Sequence, residues 1–469
     1  MQLWKLSNTI VLGSFALAAA ALLLPATIYS QNKGTLPNAV DAPNGEGMSR
    51  TLTTYSNFNT SNPFFKPLGI NGRTCATCHP VSQGMTITPD YVARVFDATG
   101  GRDPLFAPVD GANAPNADMS TLRARQVNCS MLLTKGLIRV GMPIPANAEF
   151  TLQSVDDPYH YANARDVSCF RRPLPSTNLR FLSSVMWDGR QLQGNNTLYQ
   201  ALASQVHDAV RGHMQGTTPP SPMQIAEIID FETHLYTSQI YDNSTGDLAA
   251  PVIGAGPNDL ARTPFYLGIN DAFHLTGSRQ AHDPSVFYCY EYWMPRVARQ
   301  FPLPAKPFFP SAQQQSVARG EQLFNSRRFV IQGVPGLNDV TGQPAIKGTC
   351  SSCHSAPNIG SNALPLLLNT GLADGSRRTA DMPLYTLRNK QTGATAQTTD
   401  PGAALTTGRW ADIGKFKVPS LRGLETHSPY MHNGFSGDLF DILDFYDTRF
   451  HIGLSDQEKA DLRAFLVTL

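Results

Sequence analysis

Cys75-Ala76-Thr77-Cys78-His79 and Cys350-Ser351-Ser352-Cys353-His354 are the two stretches whose reading decides this chain. Each is a Cys-x-x-Cys-His pentapeptide, the spelling of covalent c-type haem attachment. On a helical turn, residues three and four apart share one face. The two thiols of each motif therefore reach the two vinyl groups of one porphyrin, and the adjacent imidazole falls under the iron. Two matches in one chain make coincidence a poor explanation. A redox Cys-x-x-Cys beside a stray His, or half of a zinc site, is the competing reading. A zinc site wants a second Cys pair close by, and neither motif has one. The residues thus predict two covalently bound haem c groups. Cys75, Cys78, Cys350 and Cys353 are the thioether positions, and His79 and His354 the proximal iron ligands.

The rest of the composition fits a host for large cofactors. The chain has 469 residues, enough for a sizeable buried core. Apolar residues make up 41%, charged residues 16%, and the formal charge is +1, so nothing points to nucleic acid as a partner. With 37 Gly and 35 Pro, the chain reads as rich in loops.

Residues 1–30 have the layout of an export signal: Lys5, then an apolar run from Ile10 to Leu24, then Pro25 and a polar close. Counted on to Tyr29, the stretch is also just long enough for an uncleaved anchor. Either way the rest of the chain is expected outside the cytoplasm, in the periplasm, free or tethered to the inner membrane. Of seven Cys, Cys129, Cys169 and Cys289 are left after the haem motifs. In an oxidising compartment a disulfide between Cys129 and Cys169 is the expectation, against three buried thiols.

Along the chain, 31–60 reads as a flexible leader and 61–250 as an N-terminal haem domain, with a loop-and-short-strand insert over 97–175. Residues 251–310 read as an irregular linker and 311–469 as a C-terminal cytochrome c domain. Helices are expected over Thr197–Met214 and over Ser221–Tyr236, where Ile225, Ile228, Ile229 and Phe231 make an apolar stripe. Others are expected at Ser316–Phe324, Leu439–Tyr446 and Ser455–Leu469, the last opened by a Ser455/Glu458 capping box. The predicted fold class is mainly α: two cytochrome c-like haem domains with loop-rich inserts and little sheet.

Phe416-Lys417-Val418-Pro419-Ser420-Leu421-Arg422-Gly423-Leu424, then Ser428-Pro429-Tyr430-Met431-His432-Asn433-Gly434 and Asp444-Phe445-Tyr446, closely resemble the bacterial di-haem cytochrome c peroxidase family. That family includes the di-haem methylamine dehydrogenase maturation enzymes. Trp187-Asp188-Gly189-Arg190 resembles its tryptophan motif, and all these segments fall in the family's order. The likeness is weak over the 97–175 insert and the linker.

The resemblance implies that the N-terminal haem, on His79, reacts with hydrogen peroxide. The C-terminal haem, on His354, would take electrons from a small donor protein of cytochrome c or cupredoxin type. Trp187 would stand between the haems, and His432 would belong to the active site. Tyr446 stands near the place where peroxidases carry a Met ligand, which resembles the maturation enzymes; His451 and Met431 compete for that role. Family members commonly hold a distal Glu soon after the tryptophan motif. The corresponding segment, Gln205 to Met214, has none. His213 and His207 are its available acid/base groups, with Gln205 and Arg211 as helpers. The resemblance also implies a homodimer and a calcium ion held near Asn178 and Pro429, although His427 replaces the expected Thr. Three functions stay open: a peroxidase, an electron carrier without turnover, and an oxidase or maturation enzyme acting on a protein.

Overall fold

The computed structural model describes residues 35–191, 197–277, 281–294 and 309–469. The expected export signal over 1–30 lies outside them, as do Pro302, Pro304 and Pro307 of the expected linker. Among the described residues, no helix is long and apolar enough to cross a membrane.

The mainly-α expectation is wrong. Thirteen strands form five antiparallel sheets among the described residues. The largest sheet orders Thr35–Asn44, Gly47–Asn59, Leu235–Asp242 and Gly246–Asp247 side by side. Its first two strands are a long hairpin made from the segment expected as a flexible leader. The physical reason for the miss is a polar buried face. Ser49, Thr51 and Thr53 are buried with Thr237 and Gln239. The Thr51 and Thr237 hydroxyls meet at 2.8 Å, and Ser49 Oγ donates to Gln239 Oε1 at 2.6 Å. A strand whose inner face is hydroxyls shows no apolar alternation to read.

The 97–175 insert does fold as short strands and loops, with two short helices added. Ile138–Met142 pairs with Val167–Arg171. Phe150–Asp156 pairs with the distant Leu384–Asn389, which in turn pairs with Thr395–Thr398. The insert is thereby stitched to the C-terminal half. No disulfide forms. Cys129, Cys169 and Cys289 are buried free thiols, and Cys129 and Cys169 lie in separate apolar clusters.

The five expected helices form, but the second stops at Thr233, where the strand Leu235–Asp242 takes over, and a further helix, Pro89–Thr99, was not foreseen. Leu198–Arg211 and Pro222–Thr233 are capped by Thr197 and Ser221, each with a Gln three residues on that closes a capping box. Ala312–Ser326 opens the second motif's region, and Asp456–Leu466 starts at the Ser455/Glu458 box. These two cross closely at Gly320, where an added Cβ would stand 1.9 Å from the Asp461 carbonyl oxygen. Leu439–Phe450 completes the set.

Two apolar clusters carry the two motifs. Phe58, Phe64, Val81, Met85, Leu202 and Ile228 surround Cys75. Phe287, Tyr290, Trp293, Phe324 and Phe465 belong to the cluster against which Cys350 packs. Residues 286–293, expected as mere linker, thus supply aromatic core, with Tyr290 stacked on Trp293 at 4.9 Å.

Candidate active site

Both pentapeptides start on the same local device. Thr74 and Thr349 each cap a single helical turn. Their backbone N–H groups donate to the hydroxyls of Thr77 and Ser352, at 3.0 Å in both cases. The turn then brings His79 N to Cys75 O at 3.0 Å and His354 N to Cys350 O at 3.1 Å. Thiols and imidazole are thus placed on one face of each turn.

A second device aims the rings. His79 Nδ1 bonds the carbonyl oxygen of Met85 at 3.0 Å, and His354 Nδ1 bonds that of Gly360 at 2.5 Å. Both carbonyls lie six residues beyond the His, on residues in the left-handed region (φ 66 and 70). At Gly360 the space is also closed, since a Cβ would meet the Phe287 ring at 2.8 Å. Holding Nδ1–H on a carbonyl fixes the tautomer and leaves Nε2 to face a metal. Burial lowers both imidazoles to about 4, so both are neutral, as ligation requires. The repeat of this geometry is hidden in the sequence because Met occupies one position and Gly the other.

One large cavity with mostly apolar walls is lined by both motifs. Trp187, His432 and Phe416 share that wall. Phe416 stacks on His432 with 3.8 Å between ring centroids, and the Trp187 ring meets His432 edge-on at 6.2 Å. Trp187 Nε1 donates to Arg172 O at 2.8 Å, and Lys417 N donates to Trp187 O at 2.8 Å. Beneath them, Arg171 holds two buried carboxylates: Asp188 at 2.5 Å and Asp400 at 2.7 and 2.8 Å. Arg190 adds a bond to Asp188 at 2.9 Å. The Asp and Arg of the tryptophan motif are therefore joined in one buried ion network through Arg171. Trp187 and His432 come together in this wall.

The helix Leu198–Arg211 turns Leu202, Gln205, Val206, Ala209 and Val210 to the cavity, and His213 and Met214 follow just past its end. His207 is exposed and outside the cavity wall. His213 Nδ1 is hydrogen-bonded to Asp110, which is buried and ion-paired with Arg73 on its other oxygen. Burial pushes the Asp110 carboxyl up, but Arg73 and His213 outweigh it and hold it below its ordinary value. Asp110 comes from the insert, where no motif marked it.

Sequence reading also missed Glu232. This carboxyl is buried, lines the cavity, and leaves Oε2 without a partner. Burial raises it to about 7, the Ser176 hydroxyl opposing. A signal existed: Glu232 continues the Ile225, Ile228, Ile229 stripe by one turn, so an acid stands at a core position. On the other side, Tyr446 and Met431 line the cavity with Cys350, Cys353 and His354, whereas His451 is exposed and outside it. Burial, then the neighbouring thiols, pushes the Tyr446 phenol up.

Around the expected calcium position, Asn178 closes its amide on Thr237. Its Nδ2 donates to Thr237 O at 2.9 Å and its Oδ1 accepts from Thr237 N at 3.1 Å. Among the described residues, no group of three His, Cys, Asp or Glu side chains could hold a metal ion.

No family model matches the chain. Over 145 residues it is 33% identical to cytochrome-c peroxidase IdrP2 of Denitromonas iodatirespirans, covering 26% of this chain and 36% of that one. Cytochrome-c peroxidase IdrP1 of Pseudomonas sp. (strain SCT) is 33% identical over 143 residues, 26% of this chain and 37% of that one. Over that stretch the chain is similar to the cytochrome-c peroxidases. The match spans 36–37% of the length of these two curated relatives. Among solved structures, a MauG-like protein associated with microbial copper homeostasis is 16% identical with a TM-score of 0.31. That alignment covers 65% of this chain and 76% of the other. Haem c is the cofactor that similarity to cytochrome-c peroxidases implies, and the site fits it: paired thiols and a neutral oriented imidazole at each pentapeptide, in one cavity with mostly apolar walls.

Proposed function

We propose that this chain is an exported di-haem c-type cytochrome that reduces hydrogen peroxide. Cys75, Cys78 and His79 hold the haem at which peroxide reacts. Cys350, Cys353 and His354 hold the haem through which a small electron-donor protein delivers electrons. The observation that carries this reading is a single cavity shared by both motifs, with Trp187 and His432 in its wall and an Asp-held His213 beside the first motif. When bound, haem iron supplies the redox change, and its open face decides whether peroxide binds.

The polypeptide supplies the rest. Asp110 fixes the His213 ring by its Nδ1, which leaves Nε2 free to take or give a proton. Glu232, raised by burial toward neutrality, holds a second exchangeable proton in the same cavity. Peroxide needs two electrons and two protons to become two waters, and these two groups are placed to move the protons. The apolar walls exclude bulk water and strengthen each polar contact.

Tyr446 favours a second reading, a di-haem oxidase or maturation enzyme acting on a protein. Its phenol stands in the wall beside the second motif. A phenolate ligand there would favour the oxidised iron.

Spectra and kinetics of the haem-loaded protein separate these readings. Peroxidase function predicts a high-spin ferric band that shifts on adding cyanide or peroxide, and peroxide-dependent oxidation of a reduced small c-type donor. Two inert low-spin irons would leave an electron carrier without turnover.

A further inference from the structure

Nine buried side-chain atoms lack a hydrogen-bond partner among the described residues, and three of them are nitrogens on one part of the cavity wall: Arg172 Nε, His427 Nε2 and His432 Nε2. Lys417 adds a buried ammonium that, among the described residues, bonds Ser184 O at 3.0 Å. Backbone bonds tie the four segments together. Arg172 N donates to His432 O at 2.7 Å, an Arg172 guanidinium nitrogen donates to His427 O at 3.3 Å, and Lys417 N donates to O of Trp187, whose indole donates to Arg172 O, at 2.8 Å each.

The charges make this unusual. Arg171, one residue before Arg172, holds two carboxylates. Arg172 and Lys417 are as deeply buried, yet form no ion pair among the described residues. Arg172 bonds carbonyl oxygens, Gly136 at 2.9 Å and Ile87 at 2.5 Å. Burial alone lowers Lys417 to about 7 and Arg172 to about 9. A buried cation without a counter-charge is costly, and an arginine cannot shed its proton to escape. The occupant of the cavity must therefore bring negative charge to this spot.

We propose that Lys417, Arg172 and His427, with His432 beside them, are the seat for haem propionate carboxylates. This rests on the di-haem reading above, since porphyrin is the anionic group the motifs are built to hold. A carboxylate there would accept from Lys417 Nζ, Arg172 Nε and the free His427 ring nitrogen. It would also tie the iron's potential to residues of the Phe416–Leu424 signature, because a compensated propionate favours reduced iron less weakly than a bare one.

Potentiometric titration of the haem-loaded Lys417→Met variant tests this, with haem content checked by mass. The expected result is a downward shift in the midpoint potential of at least one haem, with Lys417→Arg staying near the parent. His427→Phe tests the same seat from the other segment and should move the same wave. Loss of haem from Lys417→Met while Lys417→Arg loads fully would also support the seat. Unchanged potentials in both Lys417→Met and His427→Phe would overturn it. So would a parent protein whose potentials move with added phosphate, since an exchangeable ion would then occupy the seat. A parent that carries no haem would instead end the di-haem reading.

Discussion

Arg171→Met should cost about 3–5 kcal/mol of folding free energy, the range for removing one partner from a buried ion network. Arg171 is the common partner of Asp188 and Asp400, and all three side chains are almost wholly buried. Without the guanidinium, Asp400 faces the core with its charge unopposed, and Asp188 keeps only Arg190. Arg171→Lys should recover little, because one ammonium cannot reproduce bidentate bonding to Asp400 while reaching Asp188. The network also sets a pH window. Burial pushes the Asp400 carboxyl up, but Arg171 outweighs it and brings it from 3.8 to about 2. A carboxyl held below its unfolded value stabilises the fold fully above that value, and the contribution is lost as pH falls through the folded value. Acid unfolding of the parent should therefore steepen between about 4 and about 2, and Arg171→Met should lose that feature. Urea unfolding of parent and variant at pH 7 and pH 3 measures both effects.

His213→Ala should slow peroxide reduction by about 10²-fold or more, the range for losing a positioned acid/base group. The loss should fall on kcat, since the ring is assigned to proton movement and not to holding peroxide in the ground state. His213 is partly exposed, so the variant should fold and load haem as the parent does. Replacing Asp110 is a poorer test, because it also strands the buried guanidinium of Arg73. His207→Ala serves as the control, its side chain being outside the cavity, and should leave turnover unchanged. Equal rates for His213→Ala and the parent would remove His213 from the proton path and move that role to Glu232.

What the sequence disclosed and what it hid divide along physical lines. The pentapeptides and the helix capped at Ser455 were legible because each is a local code, a fixed spacing tied to a fixed turn, whereas the tryptophan motif was legible only as a family resemblance. The hairpin over 35–59 was not, since its buried face is Ser and Thr hydroxyls bonded to a strand some 190 residues away. Asp110 and Lys417 acquire meaning from what they meet, and contact across the fold leaves no mark in spacing. Met85 and Gly360 do the same job by backbone conformation, so their side chains share nothing to recognise. Glu232 is the instructive middle case. Its place on an apolar helical stripe was readable, and only its neighbours show why an acid stands there.

The central claim is that two porphyrins are joined to this chain, one through Cys75 and Cys78, the other through Cys350 and Cys353. Intact mass of the denatured protein, made in a host that matures c-type cytochromes, measures this directly. The parent should weigh two haems above its processed polypeptide, and Cys75→Ser/Cys78→Ser should weigh one less. A parent at bare polypeptide mass, or a double variant that still carries both groups, would contradict the account.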